Sequence, residues 1–287
     1  MRAAAVQLNS NEDKSRNVEI AERLVRRAAA EGAELVVLPE KFNVIGTSEQ
    51  LVAGAEPLDG PTLRWAASVA RELGVWLVAG SIVERVEGED KLRNTSVLLD
   101  PEGTTRAVYR KIHMFDVEVG GVTYSESDVE TPGDEIVVAD VETDDERHNE
   151  RLRLGLAICY DLRFPELFRI MAVQGAQAFT LPSAFTVPTG RAHWETLVRA
   201  RAIENQAFVI AAGQVGRHPP DHESYGHSLI VDAWGTVLAR AADEAEQVVV
   251  ADLDLEAQTG VRAKLPSLAN RRPDAYRWPQ ASLAGAR

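Results

Sequence analysis

The stretch Leu35-Val36-Val37-Leu38-Pro39-Glu40 holds four consecutive apolar residues and ends in a proline and a carboxylate. An apolar run without polar alternation predicts a strand whose two faces are both covered. The second half of the chain contains a similar stretch, Ala178-Phe179-Thr180-Leu181-Pro182-Ser183. Two such strands in a chain of 287 residues favour an α/β fold, because helices are the elements that cover the faces of parallel sheets.

Short apolar runs and helix-periodic segments alternate on either side of these two strands. Apolar residues that recur at spacings of three and four predict helices. The predicted helices cover residues 18–28, 61–74, a segment from about residue 165, and residues 192–205. The predicted strands cover residues 4–8, 35–38, 75–83, 96–99, 104–109, 154–158, 178–181, 208–212, 227–231 and 237–241.

The two halves of the chain also share short sequences. Asn94–Thr104 (NTSVLLDPEGT) resembles Gly226–Thr236 (GHSLIVDAWGT). Each half is therefore expected to supply one sheet with helices on one face, and packing the two bare faces together buries both. The pattern predicts a four-layer α-β-β-α sandwich of two similar halves in one domain, residues 1–270, with a C-terminal tail, residues 271–287, at an oligomer interface.

Two further segments have a composition that predicts their role. The charged segment Glu142–Arg153 is interpreted as a solvated turn between two strands. Residues 255–287 contain three prolines and are expected to wrap a neighbouring subunit or the chain's own sheet.

Composition excludes several classes of function. There are 31 basic and 44 acidic residues, and the net charge of −13 argues against a nucleic-acid partner. No apolar stretch approaches the ~20 residues that span a bilayer, and the N-terminus lacks the apolar run of a signal peptide. The single cysteine, Cys159, allows neither an internal disulfide nor a cysteine zinc site. We expect a cytoplasmic protein without a membrane partner.

Cys159 follows an apolar strand and precedes a predicted helix, which suggests a nucleophile. Backbone N–H groups and a helix N-terminus at such a turn favour a thiolate. A buried structural cysteine is the alternative. A nucleophilic thiol needs a base, and none of the six histidines lies in a recognisable cysteine-protease context.

Glu40 and Lys111 are the candidate partners of the thiol. Glu40 ends a buried strand and is placed to act as a base held out of water, or simply to cap or pair at the strand end. Lys111 follows a predicted strand; an ammonium near the thiol would favour the thiolate and stabilise an oxyanion. Taken alone, Lys111 is more typical of a solvated surface charge than of a catalytic group.

The three candidates lie in motifs that resemble those of the nitrilase superfamily of carbon–nitrogen hydrolases. The motifs read Leu38-Pro39-Glu40-Lys41-Phe42, Tyr109-Arg110-Lys111-Ile112-His113 and Gly155-Leu156-Ala157-Ile158-Cys159-Tyr160-Asp161-Leu162-Arg163-Phe164-Pro165-Glu166. The likeness continues through Leu181-Pro182-Ser183-Ala184-Phe185 to Arg271-Arg272-Pro273-Asp274 and so covers nearly the whole chain.

The resemblance implies an amidase with a Glu–Lys–Cys triad and no metal or organic cofactor. Glu40 is then the base, Cys159 the nucleophile that forms a thioester, and Lys111 an oxyanion ligand together with the backbone N–H of Tyr160. Glu126, in the Tyr124-Ser125-Glu126-Ser127 stretch, takes the role of the family's second glutamate. Ser183 and Phe185 are assigned to substrate binding, and a homodimer or higher homo-oligomer is implied.

Within the family, the Cys-Tyr-Asp-Leu-Arg-Phe-Pro-Glu form at 159–166 resembles the deaminated-glutathione amidases and the ω-amidases, and Gly216-Arg217-His218 looks closer to the former. The alternatives are an ω-amidase acting on 2-oxoglutaramate-type monoamides, or another amidase or carbamoylase of the family. Both candidate substrates are anionic. Arg163 is therefore a candidate carboxylate ligand, with a structural ion pair to Glu166 or Asp161 as the alternative.

Two other classes of function compete with this interpretation. His218, His222 and His227 could form the metal site of a hydrolase, but Pro219 and Pro220 prevent a helix from aligning the first two rings. A protein that keeps the fold and only binds partners is the other class, and an intact triad argues against it.

Overall fold

Strands and helices alternate along both halves of the chain in the computed structural model, which describes residues 1–142, 151–243 and 245–277. The strands are β1 (Arg2–Gln7), β2 (Leu35–Val37), β3 (Trp76–Glu84), β4 (Arg93–Leu99), β5 (Thr105–Arg110), β6 (Asp116–Val119), β7 (Val122–Ser125), β8 (Val138–Glu142), β9 (Arg151–Leu156), β10 (Ala178–Ser183), β11 (Phe208–Gly213), β12 (Val215–His218), β13 (His222–Tyr225), β14 (Leu229–Val231), β15 (Val237–Arg240) and β16 (Gln247–Asp252). The helices are α1 (Lys14–Ala30), α2 (Ser48–Gly54), α3 (Pro61–Leu73), α4 (Pro165–Val173), α5 (Val187–Asn205) and α6 (Leu255–Lys264), with 3-10 helices at Glu126–Asp128, Cys159–Arg163 and Pro273–Ala275.

The two halves build matching sheets, as the shared sequences predict. One six-stranded sheet has the order β16-β1-β2-β3-β4-β5, and the other, read in the same sense, has β8-β9-β10-β11-β14-β15. In each sheet, three strands run parallel: β1, β2 and β3 in the first, β9, β10 and β11 in the second. Since β4 is antiparallel to both β3 and β5, β5 again points the same way as β2.

The apolar run at 35–38 explains why the sandwich has four layers. Leu35 and Val37 belong to the core between the two sheets, whereas Val36 and Leu38 belong to the core under α1 and α3. Neighbouring side chains of a strand point to opposite faces, so a strand that is covered by a sheet on one face and by helices on the other is apolar throughout. The predicted four-layer α-β-β-α sandwich is confirmed.

Several elements differ from their predicted extent. Helix α5 begins at Val187, five residues before the prediction, because a proline is tolerated in the first turn. The strand predicted over 227–231 is confined to β14, since His227 has a left-handed backbone with φ of 55°. Helices α2 and α6 and the hairpins β6–β7 and β12–β13 were not predicted; each is short and lacks a long apolar stripe.

The structure bears in part on the predictions for the charged segment Glu142–Arg153 and for residues 255–287. The turn predicted over Glu142–Arg153 is wrong at both ends, because Glu142 is the last residue of β8 and residues 151–153 begin β9, its antiparallel neighbour. Residues 143–150 lie outside the described residues. In the segment 255–287, α6 packs on its own chain: Gln258 donates to the carbonyls of Gln177 and Gln206 at 2.7 and 3.0 Å. Residues 278–287 lie outside the described residues. No helix in the described part of the chain combines the length and apolarity that crossing a membrane requires.

An irregularity in β3 supports the segment that follows β2. Gly80 has φ of 22° and lies where the pairing with β4 shifts register. A Cβ atom added there would lie 2.1 Å from the carbonyl oxygen of Pro39. The next residue, Ser81, receives the backbone N–H of Lys41 on its hydroxyl at 3.0 Å and that of Phe42 on its carbonyl at 3.2 Å. The close approach at Gly80 thus fixes the backbone on both sides of Glu40.

We expect Gly80→Ala to lower the free energy of unfolding by about 3 kcal/mol, because the new methyl group overlaps the Pro39 carbonyl. The matched control is Gly74→Ala at the end of α3, where φ is also positive, at 65°, but no atom lies within 4 Å. That variant carries only the left-handed backbone penalty of about 1 kcal/mol. Urea unfolding measures both, and equal losses would contradict the role given to the close approach.

Candidate active site

Three segments from two sheets meet at one cavity of about 470 Å³. Glu40 lies three residues beyond the end of β2, Lys111 directly follows β5, and Cys159 opens the 3-10 helix after β9. All three strands point their C-terminal ends to this edge, where α/β sheets commonly bind ligands. The three side chains line the same cavity, together with Glu126. The convergence expected from the sequence is therefore present.

Cys159 is held at a sharp turn between strand and helix. Its backbone has φ of +48°, a left-handed conformation that is unfavourable for a residue with a side chain. Cys159 is 8% exposed and forms part of the cavity wall. Glu40, and the backbone at Ala184 just beyond β10, lie close enough to the sulfur to influence the pKa of the thiol. Strain at this residue presents the sulfur to the cavity rather than to the core.

Lys111 lies between two carboxylates and out of contact with water. Its Nζ is 3.0 Å from Oε1 of Glu40 and 2.9 and 2.7 Å from the two oxygens of Glu126. Only 1% of the Lys111 side chain is exposed, which makes Lys111 a buried charge and not a surface one. An ammonium group has three donors, and these three contacts occupy all of them, so a ligand oxygen in the cavity must share or replace one of the contacts.

The charges of these groups support one another. Burial works against the charged form of Lys111, but the carboxylates of Glu126 and Glu40 outweigh it and raise the pKa of the ammonium well above its usual value. Burial likewise opposes ionisation of Glu126, yet Lys111 and Lys41 hold the pKa of that carboxyl far below its usual range. Lys111 is therefore a permanent cation and Glu126 a permanent anion near neutral pH.

The resting thiol is protonated. Burial raises the pKa of Cys159 well above its usual value, and the neighbouring Glu40 carboxylate raises it further. Lys111 acts in the opposite direction. A neutral thiol beside a carboxylate is the state from which the carboxylate can take the proton when the sulfur attacks.

Sequence reasoning missed three residues of this cluster. Asn94 donates to Glu40 at 2.9 Å and to Glu126 at 3.3 Å. Lys41 lies 2.6 Å from Glu130 and 3.4 Å from Glu126. Burial raises the pKa of Glu130 to about 7, although the ammonium of Lys41 opposes the shift. Asn94 begins the NTSVLL sequence, but the matching stretch of the second half begins with Gly226, so the likeness between the halves gives no signal for Asn94.

The outer residues assigned from the sequence divide into two groups. Arg163, Tyr160 and Phe185 line the cavity, and the guanidinium lies 5.9 and 5.5 Å from the two ring centroids. Neither proposed carboxylate partner pairs with Arg163; within the described residues its polar side-chain contact is Nδ1 of His193 at 3.4 Å. Ser183 is buried at the end of β10, where its hydroxyl donates to the carbonyl of Leu181, and it does not line the cavity.

The three histidines of the metal alternative do not converge. His218 and His222 face each other across the hairpin β12–β13, whose turn contains a cis Pro219–Pro220 bond. His227 lies apart, with its ring against Tyr225. Across the ranges that the structure describes, no cluster of three or more histidine, cysteine or carboxylate side chains is arranged to hold a metal ion.

A buried thiol that shares a cavity with a paired carboxylate and ammonium defines a cysteine-dependent hydrolase of the acyl-transfer type. The chain belongs to the carbon-nitrogen hydrolase family, whose model matches residues 2–263. It is 43% identical to the human deaminated glutathione amidase over 95% of this chain and 83% of that protein. It is 40% identical to the human omega-amidase NIT2 over 96% of both chains. The crystal structure of the Caenorhabditis elegans NitFhit protein superposes with a TM-score of 0.85 at 38% identity, covering 96% of this chain and 66% of that one.

We expect Glu40→Gln to lower the pKa of the Cys159 thiol, because the substitution removes a negative charge that opposes the thiolate. As Cys159 is the only cysteine, the thiolate absorbance can be followed against pH as a difference from Cys159→Ser. Glu223→Gln serves as the control, since Glu223 lies on the cavity wall but is not among the main influences on the pKa of the thiol. An unchanged or higher pKa in Glu40→Gln would show that the two groups are not coupled.

Proposed function

We propose that this protein hydrolyses the C–N amide bond of a small acidic metabolite through a thioester on Cys159, with deaminated glutathione as the favoured substrate. The observation that carries the proposal is the approach of Glu40 and Lys111 to a single buried thiol in one cavity. The name of the 43% identical human relative favours this substrate. An ω-amidase activity on 2-oxoglutaramate-type monoamides is the second candidate, favoured by the full-length match to the human omega-amidase.

In the proposed first half-reaction, Glu40 takes the proton of Cys159 as the sulfur attacks the amide carbon. The resulting oxyanion is stabilised by the ammonium of Lys111, which exchanges one of its carboxylate contacts for it, and by the backbone N–H of Tyr160. The C–N bond then breaks, Glu40 gives its proton to the leaving nitrogen, and an acyl thioester remains on the sulfur.

In the second half-reaction, Glu40 takes a proton from a water molecule that attacks the thioester carbon. The C–S bond breaks, the carboxylic acid leaves and the proton returns to the sulfur. Glu126 does not touch the reacting atoms in this scheme; it holds Lys111 in place by two contacts below 3 Å. The fixed cation between two anions needs little rearrangement when charge develops on the substrate.

The charges on the cavity wall support an orientation for the substrate. Around the thiol, the charged groups pair with one another, as Lys111 does with Glu126 and Lys41 with Glu130. Arg163 lies on the cavity wall without a carboxylate partner among the described residues. A substrate carboxylate is therefore attracted to Arg163, with the scissile amide directed to Cys159. Phe185, which packs against the guanidinium, is proposed to contact the substrate chain, while Ser183 has no contact that supports a binding role.

We further propose that the protein acts in the cytoplasm as a homodimer or higher homo-oligomer. A reaction that requires a reduced thiol, in a chain whose single cysteine forms no disulfide, supports a reducing compartment. Ile170 and Val173 on α4 and Ile203 on α5 expose 43–52% of their surface, which supports an association through this helical layer. The tail beyond residue 270 remains a candidate for the same interface.

Cys159→Ala is expected to lower turnover by at least about 10⁴-fold while circular dichroism and the melting temperature stay close to those of the parent protein. Ammonia and amine release should be measured on deaminated glutathione, 2-oxoglutaramate, simple aliphatic amides, nitriles and N-carbamoyl compounds. The proposal requires that one of the two acidic amides has the highest kcat/KM. Activity that survives in the alanine variant would exclude the thioester route.

Arg163→Lys is expected to raise KM about tenfold for an amide that carries a carboxylate, because lysine keeps the charge but loses the two-pronged contact. KM for an uncharged aliphatic amide should not change. Arg217→Lys, at an exposed position on β12, is the control and should leave both constants unaltered. If Arg163→Lys had the KM of the parent enzyme for the acidic amide, carboxylate binding by Arg163 would be ruled out.

A further inference from the structure

One buried carboxylate outside the reacting groups contacts the segment that carries Cys159. Asp161 lies two residues after Cys159 and is completely inaccessible to solvent. Its Oδ2 accepts the backbone N–H of Ile158 at 2.8 Å. The backbone N–H of Asp161 in turn donates to the carbonyl of Ile158 at 3.0 Å. The two bonds close the turn around the strained cysteine from both sides.

The same carboxylate contacts the segment that carries Lys111, again on both sides. Tyr109, two residues before Lys111, donates its hydroxyl to Oδ2 of Asp161 at 2.6 Å. His113, two residues after Lys111, approaches Oδ1 with its backbone N–H at 3.2 Å and its ring Nδ1 at 2.7 Å. Burial and the neighbouring Asp161 raise the pKa of Tyr109 well above its usual value, so its hydroxyl remains a donor.

The contact between the two segments is reinforced by an aromatic stack. The rings of His113 and Phe164 lie 3.5 Å apart at their centroids and are nearly parallel, at 6°. Phe164 directly follows the 3-10 helix that begins at Cys159. One sheet contributes the lysine segment and the other the cysteine segment, so these contacts bridge the seam between sheets at the point where the chemistry takes place.

We propose that Asp161 is a positioning residue that sets the distance and orientation of the Lys111 ammonium relative to the Cys159 sulfur. The inference rests on the proposed amidase reaction, in which the cation must lie beside the oxyanion formed at that sulfur. A buried carboxylate with four donors defines a narrow geometry, because each donor lost leaves a buried charge less well satisfied. A displacement of about 1 Å at a reacting centre can cost about 10²-fold in rate.

Asp161→Asn is the variant that tests this role with the least change in shape. Oδ2 faces the backbone N–H of Ile158, and Oδ1 faces the backbone N–H of His113. Whichever way the amide group is turned, its NH₂ meets one of these backbone donors, which cannot reverse. Tyr109→Phe is the matched control, since it removes one donor and leaves both backbone contacts to the carboxylate in place.

We expect Asp161→Asn to lower kcat about 10²-fold with little change in KM, and Tyr109→Phe to lower kcat by a few fold at most. The assay is run well below the melting temperature of each variant. The rate is divided by the fraction of folded chains whose Cys159 can be alkylated. A kcat per reactive thiol equal to that of the parent would overturn the proposal and leave Asp161 with a purely structural role.

The pKa of the Cys159 thiol distinguishes a positioning effect from a direct electrostatic one. Removing the charge of Asp161 alone favours the thiolate and lowers that pKa. Moving Lys111 away from the sulfur removes the cation that lowers it, and therefore raises it. We expect the thiol pKa to rise in Asp161→Asn, and a fall or no change would contradict the proposal. If Cys159→Ala were fully active, the amidase reaction itself would fail; if only these two readouts failed, the reaction would stand without this role for Asp161.

Discussion

The ammonium of Lys111, buried between Glu40 and Glu126, is the constraint on which the site depends. A charge removed from water is tolerated only where opposite charges compensate for the lost hydration. The compensating carboxylates come from the ends of β2 and β7, so the ion pairs join segments that are distant in the chain. In the proposed reaction, the same compensation keeps the lysine charged at the place where a negative charge forms. Structural and chemical requirements therefore coincide in one side chain.

Much of the fold was accessible from the sequence because burial on both faces leaves a readable pattern. The uninterrupted apolar runs at 35–38 and 178–181 predicted covered strands, and the shared NTSVLL and GHSLIV sequences predicted matching halves. The short helix α2 was missed because its stability comes from a capping box at Thr47 and not from an apolar stripe. The β6–β7 and β12–β13 hairpins were missed because their strands have four residues each, which is too few for a periodic signal.

The candidate site shows the same division. Residues within recognisable motifs, such as Glu40 and Cys159, could be assigned by resemblance before their geometry was known. The pairing of Lys41 with Glu130 could not be predicted, although Lys41 lies within a motif, since nothing in a single sequence indicates that side chains 89 positions apart meet at 2.6 Å. Ser183 was assigned to substrate binding by resemblance alone. It lies at the end of β10, as Glu40 lies beyond the end of β2, but its hydroxyl donates to the main chain. The repeated framework thus supports reactive chemistry at one of two equivalent strand ends.

The interface between the two sheets determines how an enzyme of this kind can lose its activity. Acid and ammonium come from the first half of the chain, and the sulfur comes from the second. Neither half contains a complete reactive centre, although each contains a complete sheet. Activity consequently depends on how the two halves pack against each other. A partial separation of the halves abolishes the reaction while the hydrogen-bonded ladders of both sheets are still intact.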